Sequence, residues 1–597
     1  MPYAQATRRL QISTPLGDDA LLVRAFSGDE GLSQLFHFEL ELLSENPSIS
    51  YDAILGKDVT VGLALADDSQ QRYWNGYISR FYQAGRDSSL VVYRAQMVPW
   101  LWFLNQTTDC RIFQNKSVPD IVTQIFGEYG FHDFEKRLTG SYGEREYCVQ
   151  YRETDFNFLS RLMEEEGIYY FFEHSDGKHV LVMADAPSAH KICQNQPTAI
   201  CALAPNGVRS DDRVLEWVQE EAYRPGKVTT TDYNFEMPST KLLATVQGER
   251  QYELYDYPGE YKTMGEGDSL ARVRLQEQQM PISVARAVSD CRAFSAGAKF
   301  TLQQHYRSDL NKSYVLTWIS HTARHGLDYR SGSTDDDRTE YSNIFRCVPD
   351  TTQIRPARTT RIPIVTGCQT AVVVGPPGEE IYTDKYGRVK VQFHWDREGK
   401  SNENSSCWIR VSQPWAGKGW GGMQIPRIGQ EVVVDFLEGD PDRPLITGRV
   451  YNAGAMPSWD LPGKKVVSGL RSNSTKGGGG YNELSFDDTK GNELMNLHAE
   501  YNMATFVGHD QTATIKHDQQ TTVVHDQSNT VQTGKQTDTV KQEIIITSQS
   551  AHIHVTADTE ITLKVGASTL YMDKDGSILL EGKYIKIHGS TMVDINP

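Results

Sequence analysis

Four consecutive octads near the C-terminus decide how this chain folds: Val507-Gly-His-Asp-Gln-Thr-Ala-Thr514, Ile515-Lys-His-Asp-Gln-Gln-Thr-Thr522, Val523-Val-His-Asp-Gln-Ser-Asn-Thr530 and Val531-Gln-Thr-Gly-Lys-Gln-Thr-Asp538. Each opens on one β-branched apolar residue: Val507, Ile515, Val523 or Val531. The third column reads His509, His517, His525, Thr533, and the fourth Asp510, Asp518, Asp526, Gly534, residues that tight turns favour. Fixing eight residues costs on the order of 8–16 kcal/mol of conformational entropy. Burying one valine or isoleucine stabilises by only about 1.5–3 kcal/mol. A solitary chain cannot hold such a repeat, whereas stacked repeats that share a thin core with neighbours can. The octads therefore predict a rod of short strands wound from several copies of the chain, with Val507, Ile515, Val523 and Val531 in its core.

After Val540 the register slips by one and period-two pairs take over: Ile544 and Ile546, Ile553 and Val555, Ile561 with Leu563 and Val565, Ile578 and Leu580, Ile585 and Ile587. Gly566, Gly576, Gly582 and Gly589 punctuate them as turns between short strands. Ile553, Val555, Ile561 and Leu563 extend the predicted core of the rod. His552 and His554, two residues apart on a strand, share a face. A three-fold axis would gather six such imidazoles into an octahedral set suited to iron or another transition metal. Inward histidines would turn Ile553 and Val555 outward, so the two assignments compete. The His-Asp corners of the octads read as solvent-facing or stacked polar corners, with metal binding the alternative.

The 597 residues allow several domains, and 39% hydrophobic with 23% charged residues is ordinary for a soluble globular chain. A net charge of -17 opposes nucleic acid or an anionic membrane as a main partner, because phosphate binding needs a basic footprint. No apolar run is long enough to span a bilayer, and the start, Met1-Pro-Tyr-Ala-Gln-Ala-Thr-Arg-Arg-Leu10, has no secretory signal. The eight cysteines lie far apart without a CxxC pair, and read as buried reduced thiols.

Residues 1–363 read as mixed α and β with a strong strand content. Asp19-Ala-Leu-Leu-Val23 and Phe36-His-Phe-Glu-Leu-Glu-Leu42 have strand patterns. Ser117 and Thr154 predict helix starts, the second helix closing at Gly167, and Asp176-Gly177 predicts a hairpin turn. Prolines 349, 356 and 363 mark a linker. Residues 364–455 then hold about five strands, a small barrel such as an OB-fold; in Arg388-Val-Lys-Val-Gln-Phe-His-Trp395 the residues Val389, Val391, Phe393 and Trp395 share one face. Residues 456–482, with Gly477 to Gly480, read as a flexible linker, and 483–597 as the rod.

No HExxH, GxSxG or GxxxxGK[ST] occurs. Gly265-Glu-Gly-Asp-Ser-Leu270 lacks the third glycine of a dinucleotide loop and reads as a surface loop. Glu164, Glu165 and Glu166 read as a solvated helix face. Glu379 and Glu380 read as opposite sides of a strand, unable to form a glycosidase pair. Trp100-Leu-Trp-Phe103, Trp415 and Trp420 read as core or subunit interface rather than sugar platforms.

Long strings carry a family resemblance. Gly378-Glu-Glu-Ile-Tyr-Thr-Asp-Lys-Tyr-Gly-Arg-Val-Lys-Val-Gln-Phe-His-Trp-Asp396, Cys407-Trp-Ile-Arg-Val-Ser-Gln-Pro-Trp-Ala-Gly417, Pro426-Arg-Ile-Gly-Gln-Glu-Val432 and Phe436-Leu-Glu-Gly-Asp-Pro-Asp-Arg-Pro444 resemble VgrG, the spike family of bacterial type VI secretion. Arg111-Ile-Phe-Gln114, Tyr151-Arg-Glu-Thr-Asp155 and Glu164-Glu-Glu-Gly-Ile-Tyr-Tyr170 are similar to that family as well. The resemblance implies a mainly β protein with some α: a phage-hub-like N-terminal part of two β-rich subdomains, an OB-fold barrel and a trimeric β-helix needle. It implies a homotrimer without enzymatic activity and without a lysozyme domain between barrel and needle. Its partners would be an Hcp-like tube protein, baseplate proteins, effectors and a PAAR-type tip protein on Val593, Asp594, Ile595, Asn596 and Pro597, where open strand edges need covering. Contact with a target membrane would be transient. The protein would assemble in the bacterial cytoplasm and leave through the secretion apparatus. A phage or tailocin tail spike is the structural alternative, and an effector enzyme lacking its C-terminal extension a more distant one.

Overall fold

Alternating apolar patterns dominate the first half of the chain, and they assemble into one antiparallel sheet. The computed structural model describes residues 3–66, 70–87, 89–201, 212–325 and 339–595. The sheet runs in the order Leu10–Ser13, Asp58–Ala64, Gln71–Asp87, Leu90–Val98, His37–Ser44, Leu22–Gly31, Ser313–Arg324, Glu340–Pro349, Ser283–Ser289, Val214–Glu221. Its early strands cover one hydrophobic core, with Phe26, Phe38 and Trp74 among its largest side chains. Its late strands cover a second, around Phe294, Phe300 and Phe345. The seam is Leu22–Gly31 paired with Ser313–Arg324 in register from Trp318 opposite Gly31 to Arg324 opposite Ala25. Gly28 on this seam is obligatory, since a Cβ there would lie 2.1 Å from the His37 carbonyl oxygen.

Two of the α-helices among the described residues pack into the core under this sheet, and a third packs on a separate sheet of Lys227–Asp232, Leu242–Gln247 and Glu253–Asp256. Helix α1, Val118–Glu128, buries Ile121, Val122, Ile125 and Phe126. Helix α2, Asp155–Glu166, starts where the Asn157 amide donates to Thr154 Oγ1 at 3.1 Å, and ends at Gly167 with φ 72° and the Ile168 amide bonded back to the Met163 carbonyl. At α1 the Ser117 hydroxyl instead donates to Asp120 Oδ2 at 2.5 Å. Helix α3, Met264–Gln279, occupies the stretch expected as a surface loop, and Thr263 with Glu266 forms a reciprocal capping box at its start. The hairpin at Asp176-Gly177 joins Tyr169–Ser175 to Lys178–Ala184, with Gly177 at φ 65°.

The barrel is a five-stranded sheet ordered Lys390–Phe393, Gln369–Val374, Glu431–Phe436, Pro444–Val450, Arg410–Val411. The Val389–Ile409 bridge closes its ends. Val389, Val391 and Phe393 fill its core, and Trp395 packs against it, donating from Nε1 to Gln369 Oε1 at 2.9 Å. Within 456–482, expected as a linker, Val467–Arg471 is a strand paired with Glu483–Asp487, which pairs in turn with Leu494–His498. Contacts divide the chain into two units, Met1–Asn502 and Met503–Pro597. Five cysteines are buried, Cys110 and Cys407 are half-buried and Cys368 is exposed; the expected burial fails at Cys368 because it sits in a surface segment ahead of the first barrel strand. No helix among the described residues is long and apolar enough to cross a membrane.

Candidate functional site: the shaft and its root

The shaft begins with chemistry that one chain cannot complete. From residue 503 to 559 the backbone is extended and bends at 508–509, 516–517, 524–525, 532–534, 541–542, 549–551 and 558–559. The first four bends recur every eight residues, and the next comes after nine, where the sequence register slips. No described residue of this stretch pairs as a strand within the chain. The physical reason lies in the pattern: each extended segment presents one apolar residue and a full set of backbone donors and acceptors, and its partners must come from another copy. Val507, Ile515, Val523 and Val531 stay 44 to 54% exposed, while Val524, at the second octad position, is 99% exposed. The apolar first positions are therefore less exposed than Val524 even in an isolated chain.

Beyond residue 559 the period-two pattern does pair. Glu560–Val565, Ser568–Asp573 and Ile578–Glu581 form an antiparallel meander turning at Gly566 and Gly576, both with positive φ. Ile561 lies opposite Met572, Leu563 opposite Leu570, Leu570 opposite Leu580 and Met572 opposite Ile578, so these six residues share one face. That face lacks a cover within the unit: Leu563 and Ile578 remain exposed. The pairs at 544–546, 553–555 and 585–587, also expected as strands, find no partner in the same chain. Ile553 and Val555 are exposed, and the rings of His552 and His554 lie 5.7 Å apart on one side of the backbone. Among the described residues no three metal-ligating side chains of one chain converge. Val593, Asp594 and Ile595 are exposed at the end of the unit, while Asn596 and Pro597 lie outside the described residues.

The root of the shaft repeats the theme. In the sheet of Val467–Arg471, Glu483–Asp487 and Leu494–His498, one face carries Leu470, Phe486, Met495 and Leu497, all exposed. The opposite face buries Glu483, which accepts from Ser485 Oγ at 2.6 Å and Asn496 Nδ2 at 3.1 Å and pairs with Arg471. The glycine loop is tied to the barrel: Lys476 Nζ reaches Glu379 at 3.2 Å, and the Gly477 amide donates to Glu380 at 2.5 Å. Glu379 and Glu380 thus stand in a loop rather than on a strand, and both turn toward the shaft root.

Barrel and hub interlock within the same unit. The Val149 amide donates to Asp442 Oδ1 at 2.6 Å, Arg397 pairs with Asp109 at 2.8 Å, and Arg443 pairs with Asp232 at 3.2 Å. Tyr151 stacks edge-on against Trp395 at 5.9 Å. The three glutamates expected on a solvated face are instead engaged within the hub. Glu164 accepts from the Thr359 and Thr360 amides and the Thr360 hydroxyl, and Glu165 and Glu166 grip Arg145 at 2.7 and 2.8 Å. Burial works against the Glu165 carboxylate, but Arg145 and Arg161 outweigh it and hold it below the usual carboxylate range. Trp100 is core, whereas Trp415 and Trp420 stack on an exposed two-stranded hairpin at the barrel edge. The buried ionic cluster of the hub, where Glu30 meets His321 at 3.0 Å and Arg72 at 3.2 Å, with His174 at 3.7 Å, carries no signal in the sequence. Its members lie on strands far apart in the chain, and only the sheet register brings them together.

A hub, a closed barrel and an octad shaft that needs further copies define a contractile-phage-tail type of spike. Residues 29–327 match the family described as phage tail baseplate hub. Residues 379–451 match the type VI secretion system/phage-baseplate injector OB domain, and residues 468–578 the bacteriophage T4 gp5 C-terminal trimerisation domain. The chain is 43% identical to the type VI secretion system spike protein VgrG1a of Pseudomonas aeruginosa over 98% of its own length and 93% of that protein. It is 44% identical to VgrG1c of the same organism over 86% of its own length and 73% of the relative. A solved E. coli type VI secretion component similar to the T4 tail proteins gp27 and gp5 shares the fold at a TM-score of 0.54 and 21% identity, over 74% of this chain and 100% of that one. The Francisella PdpA–VgrG complex gives a TM-score of 0.53 at 9% identity, over 82% of this chain and 80% of that one. The chain belongs to the VgrG spike proteins of type VI secretion systems, and the trimerisation family that it matches implies a homotrimer.

Proposed function

We propose that three copies of this chain form the puncturing tip of a contractile injection machine and act mechanically, without catalysis. The hub docks on an Hcp-type ring protein at the end of the secretion tube and on the baseplate. The barrel passes thrust to the shaft, and the shaft enters the target envelope. The three chain ends, Val593 to Pro597, seat a PAAR-type tip protein, and effectors travel on this assembly out of the cell. The observation that carries this reading is the octad face, with Val507, Ile515, Val523 and Val531 half-exposed in one chain and no strand partner available there. Three copies supply both the partners and the core, and Ile553, Val555, Ile561 and Leu563 join that core further along. Turning Ile553 and Val555 inward buries about 1.5–3 kcal/mol each, so the reading places His552 and His554 outside rather than around an axial metal. Sedimentation of the full chain should give a mass of three copies, and the ring protein should co-sediment with it. A single-copy mass would end the proposal.

A further inference from the structure

Each of the first three octads sets a histidine and an aspartate at its bend, with the same geometry three times. His509 Nδ1 lies 2.9 Å from Asp510 Oδ2, His517 Nδ1 2.9 Å from Asp518 Oδ2, and His525 Nδ1 2.8 Å from Asp526 Oδ2. The three imidazoles are 92% exposed. A neutral imidazole carries one N–H and one lone pair, and the nitrogen beside a carboxylate oxygen is the one that holds the hydrogen. Each aspartate therefore favours the tautomer with the Nε2 lone pair free. A carboxylate behind a histidine is also the arrangement that orients a metal ligand and raises its basicity.

A single imidazole is a weak ligand, and a shaft of three copies supplies the second; this step rests on the trimeric reading above. About a three-fold axis, each octad forms one side of the shaft, and the next octad of the same chain moves on by one side and one strand spacing. Along any one corner, His509 of one copy, His517 of a second and His525 of the third then follow one another at about 4.8 Å. Two nitrogens bound to one tetrahedral zinc ion, at about 2.0–2.1 Å each, stand about 3.3 Å apart. Exposed histidines close that difference by side-chain rotation alone. The two end members of a corner, about 9.6 Å apart, do not reach one ion. The fourth octad has Thr533 and Gly534 in these columns, so the series stops at three.

We propose that each of the three shaft corners binds one divalent transition-metal ion of the zinc or nickel class through two successive imidazoles, His517 belonging to every pair. Zinc titrated calorimetrically into the untagged full-length trimer should show three ions per trimer. His517→Gln should abolish this uptake. His509→Gln or His525→Gln alone should leave three ions, because the other pair survives, and the two together should abolish it. Asp518→Asn should weaken binding about 10–100-fold. His552→Gln with His554→Gln should leave the three corner ions in place. Uptake that His517→Gln leaves unchanged, or that falls equally in all three single variants, overturns the site. Sedimentation of each sample separates the two readings: a trimer that takes up no zinc removes only the corner site, whereas a single-copy protein removes the shaft as well.

Discussion

Glu30 shows what a charge does when a sheet closes over it. It sits fully inside the hub, where burial opposes its ionisation, yet the nearby His174, the hydrogen bond with His321 and the charge of Arg72 hold it well below the usual carboxylate range. Replacing Glu30 with alanine would leave Arg72 buried without its carboxylate, a loss on the order of 3–5 kcal/mol. Chemical denaturation of the hub should show an unfolding free energy lowered by that amount. His190 makes the matching case for acid. Burial pushes it down to about 4, with Lys299 and Arg137 adding to the effect against the opposing contact with the Gly297 carbonyl. Between pH 6.5 and about 4 the unfolded chain binds a proton that the folded hub refuses, so stability is full above that window and falls as pH drops through it. The loss is on the order of 3 kcal/mol for this group, and His174, His179 and His321 are shifted in the same direction. Melting temperatures measured from pH 7 to 4 should fall, and His190→Gln, which keeps a donor for Gly297, should flatten part of the slope. None of this was legible in the sequence, where an isolated Glu or His carries no mark of the strands that will enclose it. The same limit misplaced Glu164, Glu165 and Glu166: their helix reads as amphipathic, and its polar side is covered by the returning segment at Thr359 and Thr360 and by Arg145.

Local elements were legible where one stretch of chain contains its own cause. Thr154 and Gly167 delimit α2, Asp176-Gly177 turns its hairpin, and the alternation at Val389, Val391 and Phe393 faces the barrel core. Helix α3 escaped because it buries only Gly267, Ala271 and Leu275 and shows little apolar stripe. Its start was nevertheless written in Thr263 and Glu266, three residues apart. The octads are the strongest case, since their spacing alone separates two β-branched residues of similar character. Ile515, at the first position, is half-exposed in one chain and belongs to the proposed shaft core, whereas Val524, at the second, is almost wholly exposed. Ile515→Asp places three carboxylates in one layer of the shaft, each an unpaired buried charge that costs several kcal/mol. Val524→Asp places the same three at the surface, where a substitution changes stability by less than about 0.5 kcal/mol. The first variant should lose trimers in sedimentation and expose the shaft to protease; the second should behave as the parent protein. Equal behaviour of the two would refute the assignment of the first position to the core.

At the scale of the whole molecule, the division of the chain predicts where assembly comes from. Residues up to Asn502 carry their own cores, among them two under the hub sheet and one in the barrel, with polar ties such as Val149 to Asp442 between hub and barrel. This part has what a single chain needs to fold. The second unit has the opposite character, with apolar first positions half-exposed along the octads and an uncovered face on the meander. Each octad that joins two others buries three apolar side chains at once, worth about 1.5–3 kcal/mol each, and completes backbone hydrogen bonds that no single copy can make. Removing residues 503–597 should therefore leave a folded protein, with an unchanged hub melting transition, whose mass in sedimentation at micromolar concentration is that of one copy. The sheet at 467–498 keeps its exposed Leu470, Met495 and Leu497 in that truncation, so it serves as an internal control. If trimers survive the deletion, that face and the hub suffice for assembly, and the shaft follows a trimer formed elsewhere instead of driving it.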